Sequence, residues 1–396
     1  MDCKFSRRTC LRALAAGGVG ILASQGAWAD DVQRARVTDL RVISWKPPLY
    51  HGWPTLARRQ NGELLLTFSG GRESHVCPFG RLELMRSQDN GLTWGWPQVI
   101  YDSPIDDRDA GLVETTRGSL LLTNFTSLYY AKGYEAARKI AAGQPGAWDA
   151  VKIAEWQAAH ERLSAEDRQR EEGTWMWRST DGGVTWSSRY AVPCNSPHGP
   201  IALKDGRVLY AGIGLWSKDR TVGVWESNDD GVSWTLLSPF TPRKGDSLEN
   251  YHELHAVELD SGKLIVHIRN HNAANAQETL QTESTDGGKS WSEPHPIGVW
   301  GLPSHLLRLR DGRLLMSYGY RRRPFGIQVR TSRDEGTTWS APIVLTDDGT
   351  SSDLGYPSTV ECDDGTLVTV WYEVLKGSDL AQLRQARWKL QETISQ

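Results

Sequence analysis

Residues able to do acid and base chemistry recur at one place in a repeated pattern of this chain. A turn of the type Asn/Asp/Arg/Ser-Gly, followed by an apolar run, occurs six times, at Gly62, Gly118, Gly206, Gly262, Gly312 and Gly365. Seven to eleven residues upstream of these glycines stand His51, Asp109, His198, His252 with Glu253 and His255, His305, and Tyr356. Downstream of the apolar runs stand Arg72, Glu73 and His75, then Arg269 and His271, then Arg321, Arg322 and Arg323, and last Tyr372 with Glu373. Carboxylates and imidazoles move protons, and guanidinium groups hold anions. Five of the ten histidines fall at the upstream position, more than packing alone explains. Their spacing shows no HxxxH or HxH pattern, so no metal site is read from it.

The elements that must position these groups follow from the same repeats. Each Gly turn between apolar runs is a β-hairpin signal. A second pattern, Ser-x-Asp-x-Gly-x-Ser/Thr-Trp, starts at Ser87, Ser179, Ser227, Ser284 and Ser332. The two turn types alternate, so strands A and B are joined by the Gly turn and strands C and D by the octapeptide. Spacings near fifty residues are the length of one four-stranded propeller blade. Six A-to-B turns predict an all-β fold, a six-bladed β-propeller over residues 40–390. The last blade lacks the octapeptide, and the segment from Arg41 to Trp45 is expected to complete it and close the ring. In such a ring strand A lines the central channel, and the D-to-A and B-to-C loops share one rim. The residues named above therefore converge on one mouth. The octapeptide aspartates Asp89, Asp181, Asp229, Asp286 and Asp334 are expected to bond to local backbone, and the tryptophans to pack between sheets.

One interruption, from Tyr129 to Gly173, separates the first two octapeptides. Its apolar positions at helical intervals predict a pair of helices inserted between strands B and C of blade two. Arg7-Arg8, a short weakly apolar stretch and Ala27-Trp28-Ala29 read as a Tat-type export signal over residues 1–29, hence a periplasmic or secreted protein without a membrane anchor. A formal charge of −3 leaves no cation excess for tracking nucleic acid. Cys77, Cys194 and Cys362 match no zinc or redox spacing and read as buried or free thiols with at most one disulfide. No cofactor is implied.

With its octapeptides, known as Asp-boxes, the chain resembles the sialidase superfamily of six-bladed propellers. Gly355-Tyr356-Pro357-Ser358 followed by Trp371-Tyr372-Glu373 is similar to the segment that carries that family's tyrosine nucleophile. The resemblance implies that Glu253 activates Tyr356, and that Arg269 and one of Arg321, Arg322 and Arg323 clamp an anionic group. A phenol is a poor nucleophile near neutral pH until a carboxylate accepts its proton. The chain departs from the family where the first clamping arginine should be, because His51-Gly52-Trp53-Pro54 stands there. It also has no Asp between Glu63 and Gln88, where the general acid is expected. Glu73, His75 or Asp109 is left to supply the acid, Arg72 to restore a cationic contact, and Glu373 has lost its expected arginine partner.

These features predict an exported glycoside hydrolase acting on a glycan, retaining through Tyr356 and Glu253, with a substrate other than standard sialic acid. His51, His198, His255 and His305 are expected to help bind it. Two other chemistries fit the same residues: a polysaccharide lyase or a hydrolase of another sugar, using strand-start His, Tyr and Arg, or a carbohydrate-binding propeller without catalysis.

Overall fold

A computed structural model describes residues 33–44 and 48–390. The expected export signal and Trp45 lie outside the described residues. Six antiparallel four-stranded sheets form a ring of blades. The innermost strands are Tyr50–Arg58, Asp106–Glu114, Ile201–Ala202, Tyr251–Glu258, Ser304–Arg308 and Leu354–Glu361. All six hairpin glycines adopt a positive φ, from 73° to 91°, which a side chain would make costly.

Blade six is completed by the strand Arg36–Ser44, longer than expected, which pairs antiparallel with Ala381–Lys389 from Arg36 opposite Lys389 to Ser44 opposite Leu383. The two ends of the ring are thus joined in one sheet by hydrogen bonds alone.

Each Asp-box is held from within. In blade one, Ser87 Oγ donates to Asp89 Oδ1 at 2.8 Å and accepts from Gly91 N at 2.9 Å, while Thr93 N and Oγ1 donate to the same carboxylate. The box tryptophan then packs into the apolar core shared with the preceding blade. Trp94, Trp186, Trp234, Trp291 and Trp339 do so at five of the six blade junctions. At the sixth junction, between blades five and six, no box exists and Trp371 and Trp388 fill the core instead.

Carboxylates tie neighbouring blades on the face where the A-to-B turns lie. Glu114 accepts from Gln60 N at 2.6 Å, Glu258 from Lys204 N at 2.7 Å, and Glu361 from Arg310 N at 2.8 Å.

The insertion in blade two contains three helices, not two: α1 (Tyr129–Ala137), α2 (Ala150–Glu161) and α3 (Ala165–Glu171). Asp149 caps α2 by accepting from Lys152 N, and Ser164 caps α3 by accepting from Asp167 N. The third helix follows from the Ser-Ala-Glu-Asp sequence, a capping serine with acid in the first turn. Tyr130, Tyr134 and Trp156 form a separate small core with Cys77 and Ile105. Among the described residues Cys77, Cys194 and Cys362 are buried and free.

Candidate active site

One position of the innermost strand builds the site. Nine residues before the hairpin glycine stand Trp53, Asp109, Glu253 and Tyr356 in blades one, two, four and six. All four have left-handed backbone, with φ of 52°, 58°, 39° and 53°. Each also sits where the pairing with strand B breaks register. A bulge with a left-handed residue re-aims its side chain away from the pleat, at a cost of about 1–3 kcal/mol per residue. In blades three and five the same position is Pro197 and Pro303, whose ring fixes φ near −65° and forbids the device. Four blades therefore project a functional side chain into the mouth, and two wall it.

The mouth is a cleft of about 370 Å³ whose lining includes Asp109, Glu253 and Tyr356. At its floor the Tyr356 hydroxyl donates to Glu253. Arg269 ion-pairs with the same carboxylate and its Nη1 lies 3.4 Å from Tyr356 Oη. Burial raises the Glu253 pKa, but the Arg269 charge and the hydrogen bonds from Tyr356 and Arg269 outweigh it, holding the carboxylate below its ordinary value. Burial, then the Glu253 charge, push the Tyr356 phenol well above its ordinary value. The resting pair is a protonated phenol against an ionised carboxylate.

Asp109 faces this pair. It accepts from Asn195 Nδ2 at 3.3 Å, and burial followed by the Glu253 charge pushes its carboxyl up to about 7, against the pull of Arg108 and Arg269. Two carboxyls whose pKa values are driven apart are the signature of separate acid and base roles.

Arg321 enters the cleft too, its Nε donating to Leu354 O at 2.8 Å and its guanidinium 5.8 Å from the Tyr356 ring centre. His75 sits half-exposed at the rim, with Nδ1 3.0 Å from Asp353 and 2.9 Å from the Tyr50 hydroxyl.

The other residues singled out in sequence lie elsewhere. Arg72 does not reach the cleft: it is fully buried behind Trp53, where it pairs with Asp106 at 2.7 Å and also donates to Ser69. Asp106 in turn holds Arg108 at 2.5 Å, and Arg108 lines the cleft. Arg72 thus supports a cleft arginine that sequence reasoning passed over. Glu73 turns outward and accepts from Trp156 of the insertion at 2.9 Å, away from the cleft. Arg322 lies over Trp300 at 3.7 Å and Arg323 over Phe325 at 5.2 Å, both away from the cleft.

His51 packs on Phe68 with its Nδ1 2.6 Å from Ser44 Oγ, joining blade one to the closing strand. His198, His255 and His305 meet below the cleft floor, with ring centres 4.5–5.3 Å apart, and face the opposite end of the channel. The reason is register: His255 and His305 stand seven residues before their hairpin glycines, one pleat deeper than Glu253. Glu373 pairs with an arginine other than the one it was expected to lose. It is buried on Arg384 at 2.6 Å and Trp371 Nε1 at 2.8 Å, away from the cleft.

Besides Arg108, the cleft gains Trp53, Asn195 and Arg220, and His252 and Tyr372 line it as expected. Burial, then His271, push His252 down to about 4. The nine-residue offset is the signal that could have separated cleft residues from channel residues. Among the described residues no group of three or more His, Cys, Asp or Glu side chains could hold a metal ion, and no helix is long and apolar enough to cross a membrane.

The chain matches the BNR repeat-like domain family over residues 150–369, more than half its length. It is 31% identical over 141 residues to a xyloglucanase of Paenibacillus sp, covering 34% of this chain and 13% of that protein. It is 26% identical over 200 residues to a sialidase of Micromonospora viridifaciens, covering 42% of this chain and 31% of that one. The chain thus spans less than a third of the length of either relative. A solved structure of a protein of unknown function from Dyadobacter fermentans superposes with a TM-score of 0.71 at 25% identity, covering 90% of this chain and 99% of that one. With five Asp-boxes on a six-bladed ring and this match, the chain belongs to the BNR repeat-like family within the sialidase superfamily.

Proposed function

We propose that the protein is an exported glycoside hydrolase that removes a terminal sugar from a glycan with retention of configuration. Tyr356 Oη attacks the anomeric carbon while its proton passes to Glu253, and the bond from that carbon to the leaving oxygen breaks. Asp109 gives that oxygen its proton. In the second half a water surrenders a proton to Asp109 and attacks the same carbon, and the phenolate leaves, recovering its proton from Glu253. Arg269 keeps Glu253 ionised at rest, so the base is ready when the phenol begins to lose its proton.

The observation that carries this reading is the chain Tyr356 to Glu253 to Arg269 facing a carboxyl whose pKa is pushed up to about 7. Arg108, Arg220, Arg269 and Arg321 line the cleft, which supports a sugar with anionic character. Gly52 stands where the family's first clamping arginine is expected, and its neighbour Trp53 lines the cleft, which supports a substrate other than standard sialic acid. The lyase alternative draws less support, because three of its strand-start histidines, His198, His255 and His305, lie under the floor, which leaves it His252 and Tyr356 in the cleft.

The test is a panel of polysaccharides and aryl glycosides given to the protein lacking residues 1–29, with the first-formed product followed by proton NMR. The retained anomer is expected. An inverted anomer, or an unsaturated product absorbing in the ultraviolet, overturns the mechanism, and absence of turnover across acidic and neutral sugars overturns the activity.

A further inference from the structure

If Asp109 protonates the glycosidic oxygen, as proposed above, it also fixes where the leaving group lies. A general acid must touch that oxygen, so the atoms beyond it occupy the blade-two side of the cleft. The wall on that side is aromatic. Phe125, buried on strand Leu120–Ser127, carries Tyr129 against one part of its ring at 6.2 Å and Trp216 against another at 5.9 Å. Phe125 itself lines the cleft, as do Tyr129 and Leu215, the neighbour of Trp216. Tyr129 is 57% exposed and Trp216 38% exposed.

These rings are held in place. Arg108 lies 5.5 Å over Phe125 and 5.7 Å over Tyr129. Tyr129 opens α1, whose preceding residue Leu128 donates its backbone N–H to Glu172 at 2.9 Å. The next residue, Tyr130, is locked in the core of the insertion. Exposed aromatic surface on a rigid support beside a polar cleft suits the C–H face of a pyranose, which offers apolar area to the ring while its hydroxyls stay in water.

We propose that Tyr129 and Trp216, braced on Phe125, form a second sugar subsite that stacks the leaving-group ring, so that the substrate is an oligosaccharide or glycan chain end and not a simple glycoside. The insertion then serves as the scaffold that presents Tyr129. This inference rests on the assignment of Asp109 as the acid.

Two measurements test it. The first compares kcat/KM for an oligosaccharide with kcat/KM for the glycosyl fluoride of the same terminal sugar, which has no ring to stack. Tyr129→Ala and Trp216→Ala should each lower this ratio about tenfold, chiefly through KM for the oligosaccharide, and Tyr129→Phe should restore it. An unchanged ratio in both alanine variants overturns the subsite while leaving the hydrolase intact. The second is calorimetric titration of Tyr356→Phe protein with 3′-sialyllactose and a xyloglucan heptasaccharide, as acidic and neutral probes. Binding of either probe that weakens about tenfold with Tyr129→Ala supports the subsite even if no turnover is ever found. Affinity unmoved by both substitutions, or no binding of either probe, overturns it.

Discussion

The two ends of the central channel are built from the same six strands yet behave as opposites. At the cleft, four innermost strands carry a left-handed residue nine positions before the hairpin glycine, and the side chains delivered there include an ionised carboxylate, a carboxyl pushed up to about 7 and a buried phenol. Two residues further along the strands, backbone geometry returns to the ordinary ladder. There the channel is filled by three neutral imidazoles, each held well below the ordinary histidine value by burial first and then by a neighbouring histidine. Beyond them the surface is tied by ion pairs such as Arg58 with Asp363 and Arg308 with Asp260. Within the innermost strands the left-handed residues all stand at the cleft end, the pattern expected when local backbone cost is retained for function.

The largest effect that separates the ends is on turnover. Tyr356→Phe and Glu253→Gln should each lower kcat by at least about a thousandfold with little change in melting temperature. Wild-type rates in both would remove the cleft from the chemistry. His305→Asn, at the other end, should leave kcat within about threefold.

The second effect is on stability and differs in sign between the ends. Asp109 has a folded pKa near 7 against an ordinary value of 3.8. Its ionisation therefore favours the unfolded chain, and stability present below pH 4 is lost as pH rises to 7. Asp109→Asn should be more stable than wild type at pH 8, by up to about 4 kcal/mol, and by far less at pH 4, in urea unfolding. The same variant should lose the alkaline limb of the pH-rate profile near 7 together with most of its activity on unactivated substrates.

The toroid was legible because its signals are local and repeated. Turn glycines and Asp-boxes need only nearby backbone, so Gly62 or Asp89 announces its role from a few neighbours. The cleft was legible in part. Tyr356, Glu253, Asp109 and Arg269 stand out in sequence, but depth in the channel does not. A window of seven to eleven residues mixes Glu253 with His255, which point to different ends of the pore, because a bulge shifts one of them by a pleat. Arg72 and Arg108 were exchanged for a similar reason. Which of two arginines is free depends on where Asp106 sits, and it bridges both. Glu373 appeared orphaned because its partner, Arg384, comes from the adjacent strand and not from the family's position.

The imidazole end should lose stability in the acid direction. The folded pKa values of His198, His255 and His305 lie below 6.5, so the unfolded chain takes up protons first and stability falls as pH drops below about 6.5. Neither ring nitrogen of His198 has a hydrogen-bond partner among the described residues. His198→Leu should therefore flatten the acid-side loss, its advantage over wild type growing from pH 7 to pH 5 to on the order of 1–3 kcal/mol. A constant difference between the two pH values would mean that the cluster is not held neutral.

The smallest effect tests the ties between blades. Glu258 Oε2 accepts the Lys204 amide from the neighbouring blade at 2.7 Å, in a position open to solvent that can supply the lost bond. Glu258→Ala should cost only about 1 kcal/mol in the urea midpoint. Kinetic constants should be unmoved, since the tie lies on the face away from the cleft, at the opposite end of strand Tyr251–Glu258 from Glu253. A change in kcat here would show that strain at the left-handed residue is set by the far end of its own strand, and the separation between the two ends of the channel would fail.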